Sequence, residues 1–256
     1  MFEIRKEQHE AFDQATLAAF ENEMVVHSQG FSPRLCEVIG EDQLRVAIRR
    51  AMKKADTYGF TNRGPVRLYI ELMFLNGSGF DVDPQYPAIA EILKSPEDQM
   101  LRSERIFDLV VEYQERVSGK DNINVVKSLK HLSEIARTPI SDTRDFDEEI
   151  MLDELFSGFP QRAAYIGEEA LISLIRGGRH EARKYEFSQW RSESLLIVLM
   201  FAFGFGCTDD PLYPWISRTL HDPRIVSSQA RARRLETKAM AWLDHVLART
   251  QEGLPT

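Results

Sequence analysis

The feature that most constrains this chain is a stretch that it carries twice. Leu72 to Pro87 reads LMFLNGSGFDVDPQYP, and Leu199 to Pro214 reads LMFAFGFGCTDDPLYP. Gly77 falls on Gly204, an offset of 127 residues, and that register holds without a gap from Pro33 to Pro96, with about two dozen identities in about 64 positions. Ile39-Gly40-Glu41 pairs with Ile166-Gly167-Glu168, Ile48-Arg49 with Ile175-Arg176, and Tyr58 and Phe60 with Tyr185 and Phe187. Beyond Pro96 the offset becomes 129, with Tyr113 against Trp242 and Val117 against Val246. An internal repeat of this length points to one helical unit used twice, so the fold must accommodate two copies of one pattern.

The pattern is that of helices. Leu44, Ala47, Ile48, Ala51, Met52, Ala55 and Tyr58 recur at three- and four-residue steps, with Glu41 and Asp42 at the end where the helix dipole favours acids. The span 168–185 keeps that stripe. Next comes a more apolar segment, Val66 to Asn76 and its counterpart Ser192 to Phe203, whose lack of a polar face predicts a helix enclosed by its neighbours. A short helix after each Tyr-Pro step and a closing amphipathic helix carrying Ile106, Val110, Tyr113 and Val117 complete the unit. The second copy closes with Leu235, Ala239, Trp242 and Val246. No run of alternating β-branched residues announces a strand. The expected fold is therefore all-α: a tandem duplication of a unit of about four helices, plus an N-terminal helix and a connecting helix.

Residues 1–120 form the N-terminal helix and first unit in this reading, 121–147 a connecting helix and linker, and 148–256 the second unit. The N-terminal helix is expected over about Arg5 to His27, outside the repeat, with Ala11, Phe12, Ala15 and Ala19 as its apolar side. The run RTPISDTRDFD supplies the Pro, Ser, Thr and Asp of a connector.

The repeated loop, with landmarks Gly77, Gly79, Asp83, Pro84, Gly204, Gly206, Asp210 and Pro211, reads foremost as a helix stop. Glycine permits the left-handed closing conformation, Asp-Pro turns the chain out of the helix, and the aspartates accept from amides within the turn. A dinucleotide fingerprint would follow a strand and carry a third glycine, and neither is found here. Asp81 and Asp83 are the candidates for a hard divalent cation, although Thr208 replaces the first of them in the second copy and the EF-hand spacing is missing. No nucleophile elbow, zinc helix or phosphate loop is present, and the six histidines occupy unrelated repeat positions. Neither a catalytic residue nor a cofactor is expected. Arg231, Arg233 and Arg234 read as the solvated face of the last helix.

A formal net charge of −8 argues against a dominant nucleic-acid surface and suits a basic protein partner. The opening MFEIRKEQHE has charges where a signal peptide needs its apolar core, and the apolar run Leu195 to Gly206 is shorter than a membrane span, so a cytoplasmic protein without membrane insertion is expected. The only cysteines, Cys36 and Cys207, lack metal-ligand spacing and fit a reducing compartment.

The combination I-G-E-x-x-L, L-M-F, G-x-G-F-D and D-P, together with the early I-R-K-E-Q, resembles a poorly characterised group of small bacterial proteins encoded among type VI secretion spike, effector and immunity genes. Residues 1–118 are similar to the single-unit members, and the second copy departs from them at Cys207 and Thr208. The resemblance brings no catalytic residues. It implies a non-enzymatic protein-binding module, an adaptor or chaperone whose partner is a secreted toxin or spike component. An immunity protein that neutralises a cognate toxin is the alternative within the binding class. A helical metal-dependent enzyme using Asp81 and Asp83 is the alternative outside it.

Overall fold

The computed structural model describes residues 6–137 and 145–251, and all regular structure among them is helical. Two cores form, one under each occurrence of the repeat. The first is built by α1 (Lys6–Phe31), α2 (Pro33–Ile39), α3 (Glu41–Thr57), α4 (Arg63–Asn76), α5 (Pro87–Lys94) and α6 (Gln99–Tyr113). A π-type turn at Gln114–Ser118 leads to α7 (Ile123–Arg137), the expected connecting helix. The second core is built by α8 (Glu148–Gly158), α9 (Pro160–Ile166), α10 (Glu168–Lys184), α11 (Trp190–Phe203), α12 (Pro214–Leu220) and α13 (Ser228–Gln251). Of the proposed connector, residues 138–144 lie outside the described residues.

The bounds of the elements recur at the offset read from the sequence: α2, α3 and α4 become α9, α10 and α11, each displaced by 127. The unit is richer than the expected four helices, because Pro33 and Pro160 each start a short helix that the apolar pattern alone does not mark. Proline is well placed there, since the first turn of a helix needs no amide donor from it. Leu44, Ala47, Ile48, Ala51 and Ala55 of α3 are buried, as are Leu171, Leu174, Ile175 and Ala182 of α10. Tyr69, Ile70, Leu72 and Met73 of α4 are buried too, which makes it the enclosed helix of its unit.

Two expectations about α1 need correction. Ala15 and Ala19 are exposed, and the buried face is Phe20, Met24 and Val25; the side chains of Ala11 and Phe12 lie outside the described residues. Nor is the helix wholly outside the repeat. Glu21 receives Arg49 at 2.8 and 2.9 Å, and 127 residues later Glu148 of α8 receives Arg176 at 3.0 and 2.9 Å. Met24 and Met151, also 127 apart, are both buried. The last turns of α1 thus take the place that α8 takes in the second unit. So few residues carry the likeness that sequence comparison passes over it.

Candidate functional site

The repeated loops meet each other. A side chain added at Gly77 would place its Cβ 2.2 Å from the carbonyl oxygen of Phe203, and one added at Gly204 would lie 2.5 Å from that of Asn76. Gly79 and Gly206 face each other in the same way, with a Cβ on Gly79 falling 3.2 Å from the Gly206 nitrogen. Four glycines therefore let two backbones abut along a seam between the units. Gly77 has φ 87 and ψ 157, and Gly204 has φ 95 and ψ 155. The sign of φ agrees with the expected helix stop, but ψ is extended, so the chain leaves the helix straight toward the opposite loop.

Asp83 and Asp210 lock this seam reciprocally. Asp83 Oδ1 accepts the Gln85 amide at 2.9 Å within its own turn, and Oδ2 accepts the Phe205 amide across the seam at 2.8 Å. Asp210 repeats both bonds, accepting Leu212 at 2.8 Å through Oδ1 and Ser78 at 2.7 Å through Oδ2. The in-turn bonds were legible from Asp-Pro, whereas the cross-unit ones were not. Burial raises both carboxyl groups above the ordinary carboxylate range, and the amide donors hold them down only in part. Pro84 and Pro211 fix the turn that aims these oxygens. Further bonds cross nearby, Gln43 Nε2 to the Pro211 carbonyl at 3.1 Å and Arg50 to the Asp209 carbonyl at 2.7 Å.

Asp81 and Asp83, the cation candidates, take different partners. Asp81 is fully buried, and its Oδ2 accepts Lys54 Nζ at 2.8 Å and the Tyr58 hydroxyl at 2.9 Å. That carboxylate and burial together push the Tyr58 hydroxyl up to about 12, burial being the larger cause. At the same place in the second unit the charge has moved. Glu181 stands where Lys54 would be, Thr208 where Asp81 would be, and the Thr208 hydroxyl donates to Glu181 at 3.0 Å. Lys184 pairs with Glu181 at 2.5 Å. Each unit thus has its own donor and acceptor set at this corner, and in the first unit Asp81 Oδ1 is left buried without a partner. Among the described residues no group of three His, Cys, Asp or Glu side chains is gathered to hold a metal ion. Cys36 and Cys207 are both free and buried, and burial raises both thiols.

Beside the seam opens a cleft of about 570 Å³ whose walls come from both units, Gln85, Tyr86 and Tyr113 on one side and Arg162 and Tyr165 on the other. Tyr113 meets Tyr165 edge-on at 5.3 Å. Arg162 donates to Gln85 Oε1 at 2.9 Å and to the Tyr86 hydroxyl at 3.2 Å, while its guanidinium lies over the Phe201 ring at 4.3 Å. Its Nε is buried with no hydrogen-bond partner. Sequence reasoning missed this constellation because Arg162 and Tyr165 are not repeated; the first unit has Leu35 and Val38 in their places. Arg231, expected on a solvated face, is half-buried and donates to the Ile225 carbonyl at 2.9 Å, while Arg233 and Arg234 are exposed. No described helix is long and apolar enough to cross a membrane. Set against family models, curated proteins and solved structures, the chain matches none.

Proposed function

We propose that this chain is a non-enzymatic protein-binding module, an adaptor or chaperone that brings a secreted toxin to a type VI spike, working in the cytoplasm of the producing cell. The observation that carries the binding part is the cleft shared by the two units. Tyrosine and arginine are the side chains that most often concentrate binding energy at protein interfaces, because they offer large rigid contact area with a polar tip. Tyr86, Tyr113, Tyr165 and Arg162 converge there on a floor held by the seam. The secretion context rests on the motif resemblance alone. Of the carboxylates of the enzyme alternative, Asp83 accepts protein donors at both oxygens and Asp81 at Oδ2, which favours a structural role for them, while Asp81 Oδ1 is buried without a hydrogen-bond partner.

The deciding experiment pairs a gene deletion with cleft variants. Deletion should lower delivery of one toxin without making the producing cell sensitive to it, and Tyr113→Ala with Tyr165→Ala should weaken the isolated complex by about tenfold or more while circular dichroism stays native, as for truncated hot spots. Poisoning of sister cells, with rescue by the protein alone, would establish immunity instead. Loss of the cellular effect in a folded Asp81→Asn variant, with binding intact, would reopen catalysis.

A further inference from the structure

Outside the cleft, the two units differ at the groove between their enclosed and closing helices. In the second unit this groove, lined by Gln189, Ser192, Leu195 and Ala232, has only about 70 Å³ left open. Arg191 lies across it and is held to Glu236, its Nε donating at 2.9 Å. At the same positions the first unit has Gly64 and Phe107. Its groove stands open with a volume of about 640 Å³. Leu68 lies in it, Met100 is 54% exposed, Leu101 45% and Phe107 57%, an apolar strip that nothing among the described residues covers. One positive and three negative side chains rim it, Arg67 against Glu71, Asp98 and Glu104.

We infer that this groove of the first unit is a docking site for a protein segment that presents apolar side chains beside a lysine or arginine, a basic amphipathic helix. Two observations select that occupant. The second unit has in the equivalent space an arginine of its own, which lines the groove beside Leu195 and Ala232 while its charge meets a carboxylate. The first unit removes that arginine, leaves apolar surface in place of its carboxylate partner, and puts Glu104 where the second has Arg233. What is missing from the groove is therefore a cation with a hydrophobic flank, and the acidic rim is complementary to it. Glu71 is already shared by His27 at 2.7 Å and Arg67 at 3.3 Å, and Asp98 caps the Met100 amide at 2.8 Å. Glu104 is thus the rim carboxylate best placed to meet the incoming charge. This inference stands apart from the cleft, since no residue lines both.

The test transplants the second unit's closure into the first. A library of displayed helical peptides is selected on the full-length protein and counter-selected on G64R/F107E. The Gly64 substitution should be accommodated, because a Cβ there meets open space. Selected peptides should carry apolar residues one helical turn apart with an adjacent lysine or arginine, and their synthetic versions should bind G64R/F107E and the charge variant Glu104→Arg about tenfold more weakly or worse, about 1.4 kcal/mol. Phe107→Glu alone gives a second reading should the double variant fail to fold. Selection of acidic peptides, peptides indifferent to all three variants, or no discriminating peptide would each overturn the inference. So would a concentration-dependent dimer of the full chain that disappears in G64R/F107E, because a second copy would then be the occupant.

Discussion

At the scale of single residues, glycines of similar backbone geometry have different jobs, and substitution separates them. Gly40 and Gly167 have φ of 77 and 87, and a Cβ on either meets nothing within 4 Å. Alanine there should cost only the backbone strain, about 1–3 kcal/mol. Gly77 and Gly204 carry the same strain and also press on the opposing loop, so alanine should cost about another 1–3 kcal/mol, as overpacking does. Urea denaturation of the four variants measures this directly, and equal losses would mean that the seam yields to a methyl group. The aspartates of the seam give a second prediction, in pH. Burial raises Asp83 and Asp210 above the ordinary 3.8, so the folded state holds their protons more tightly than the unfolded chain does. Their contribution is then fully present below 3.8 and declines as pH rises through the raised values. The destabilisation caused by D83N/D210N, which cannot titrate, should therefore grow as pH falls from neutrality to about 4. Denaturation curves across that range check it; a loss that shrinks instead would show the amide donors outweighing burial.

At the scale of elements, α1 divides into two halves with different fates. Leu17 is 56% exposed while Met24 is 1% exposed, so Leu17→Ala should change stability by about 0.5 kcal/mol or less and Met24→Ala should cost about 2–5 kcal/mol. Comparable losses at the two positions, read from thermal or urea melts, would contradict the boundary. The same helix shows what the sequence can and cannot disclose. Periodicity located α3 and α10 well, because stripes of Leu, Ile and Ala leave a helical step wherever one face is buried, and α4 and α11 were marked by apolar runs without a polar face. It misjudged Ala15 and Ala19 of α1, which are spaced as a buried face would be although they are exposed among the described residues. Periodicity also passed over α2 and α9, too short to show a period. The loop was legible as a breaker and as a landmark, and its in-turn bonds followed from Asp-Pro. Its larger role depends on Asp83 and Phe205 being neighbours, 122 positions apart, and nothing local encodes that. A repeated aspartate with a second oxygen still free to accept was the available hint. Arg162 and Tyr165 left no hint of that kind, since they belong to one unit only and gain their meaning from facing the other.

At the scale of the whole molecule, the seam binds two cores into one cooperative body. Leu212 belongs to the second loop yet is buried in the first core, and Tyr213 packs against both. Gln85 reaches back to the Met200 carbonyl, and α7 packs along α13, so neither unit can unfold without exposing groups that the other covers. Unfolding should therefore proceed in one transition, with tryptophan fluorescence reporting the second unit at Trp190, Trp215 and Trp242, and backbone dichroism reporting both. The reciprocal bonds predict more than this coincidence. Asp83→Ala and Asp210→Ala each remove one cross-seam bond and one in-turn bond and leave two amides without their acceptor, at about 1–3 kcal/mol per amide. Because either bond holds the two loops at the distance the other needs, the two losses should not add: the coupling should lie within the roughly 0.5–3 kcal/mol seen for residues that share one network. In the double variant the fluorescence transition should part from the dichroism transition, because the seam that made the units melt together has been opened. Additive losses with coincident transitions would mean that packing around Leu212 and Tyr213 holds the units together by itself, and that the glycine-aspartate loops serve each unit separately.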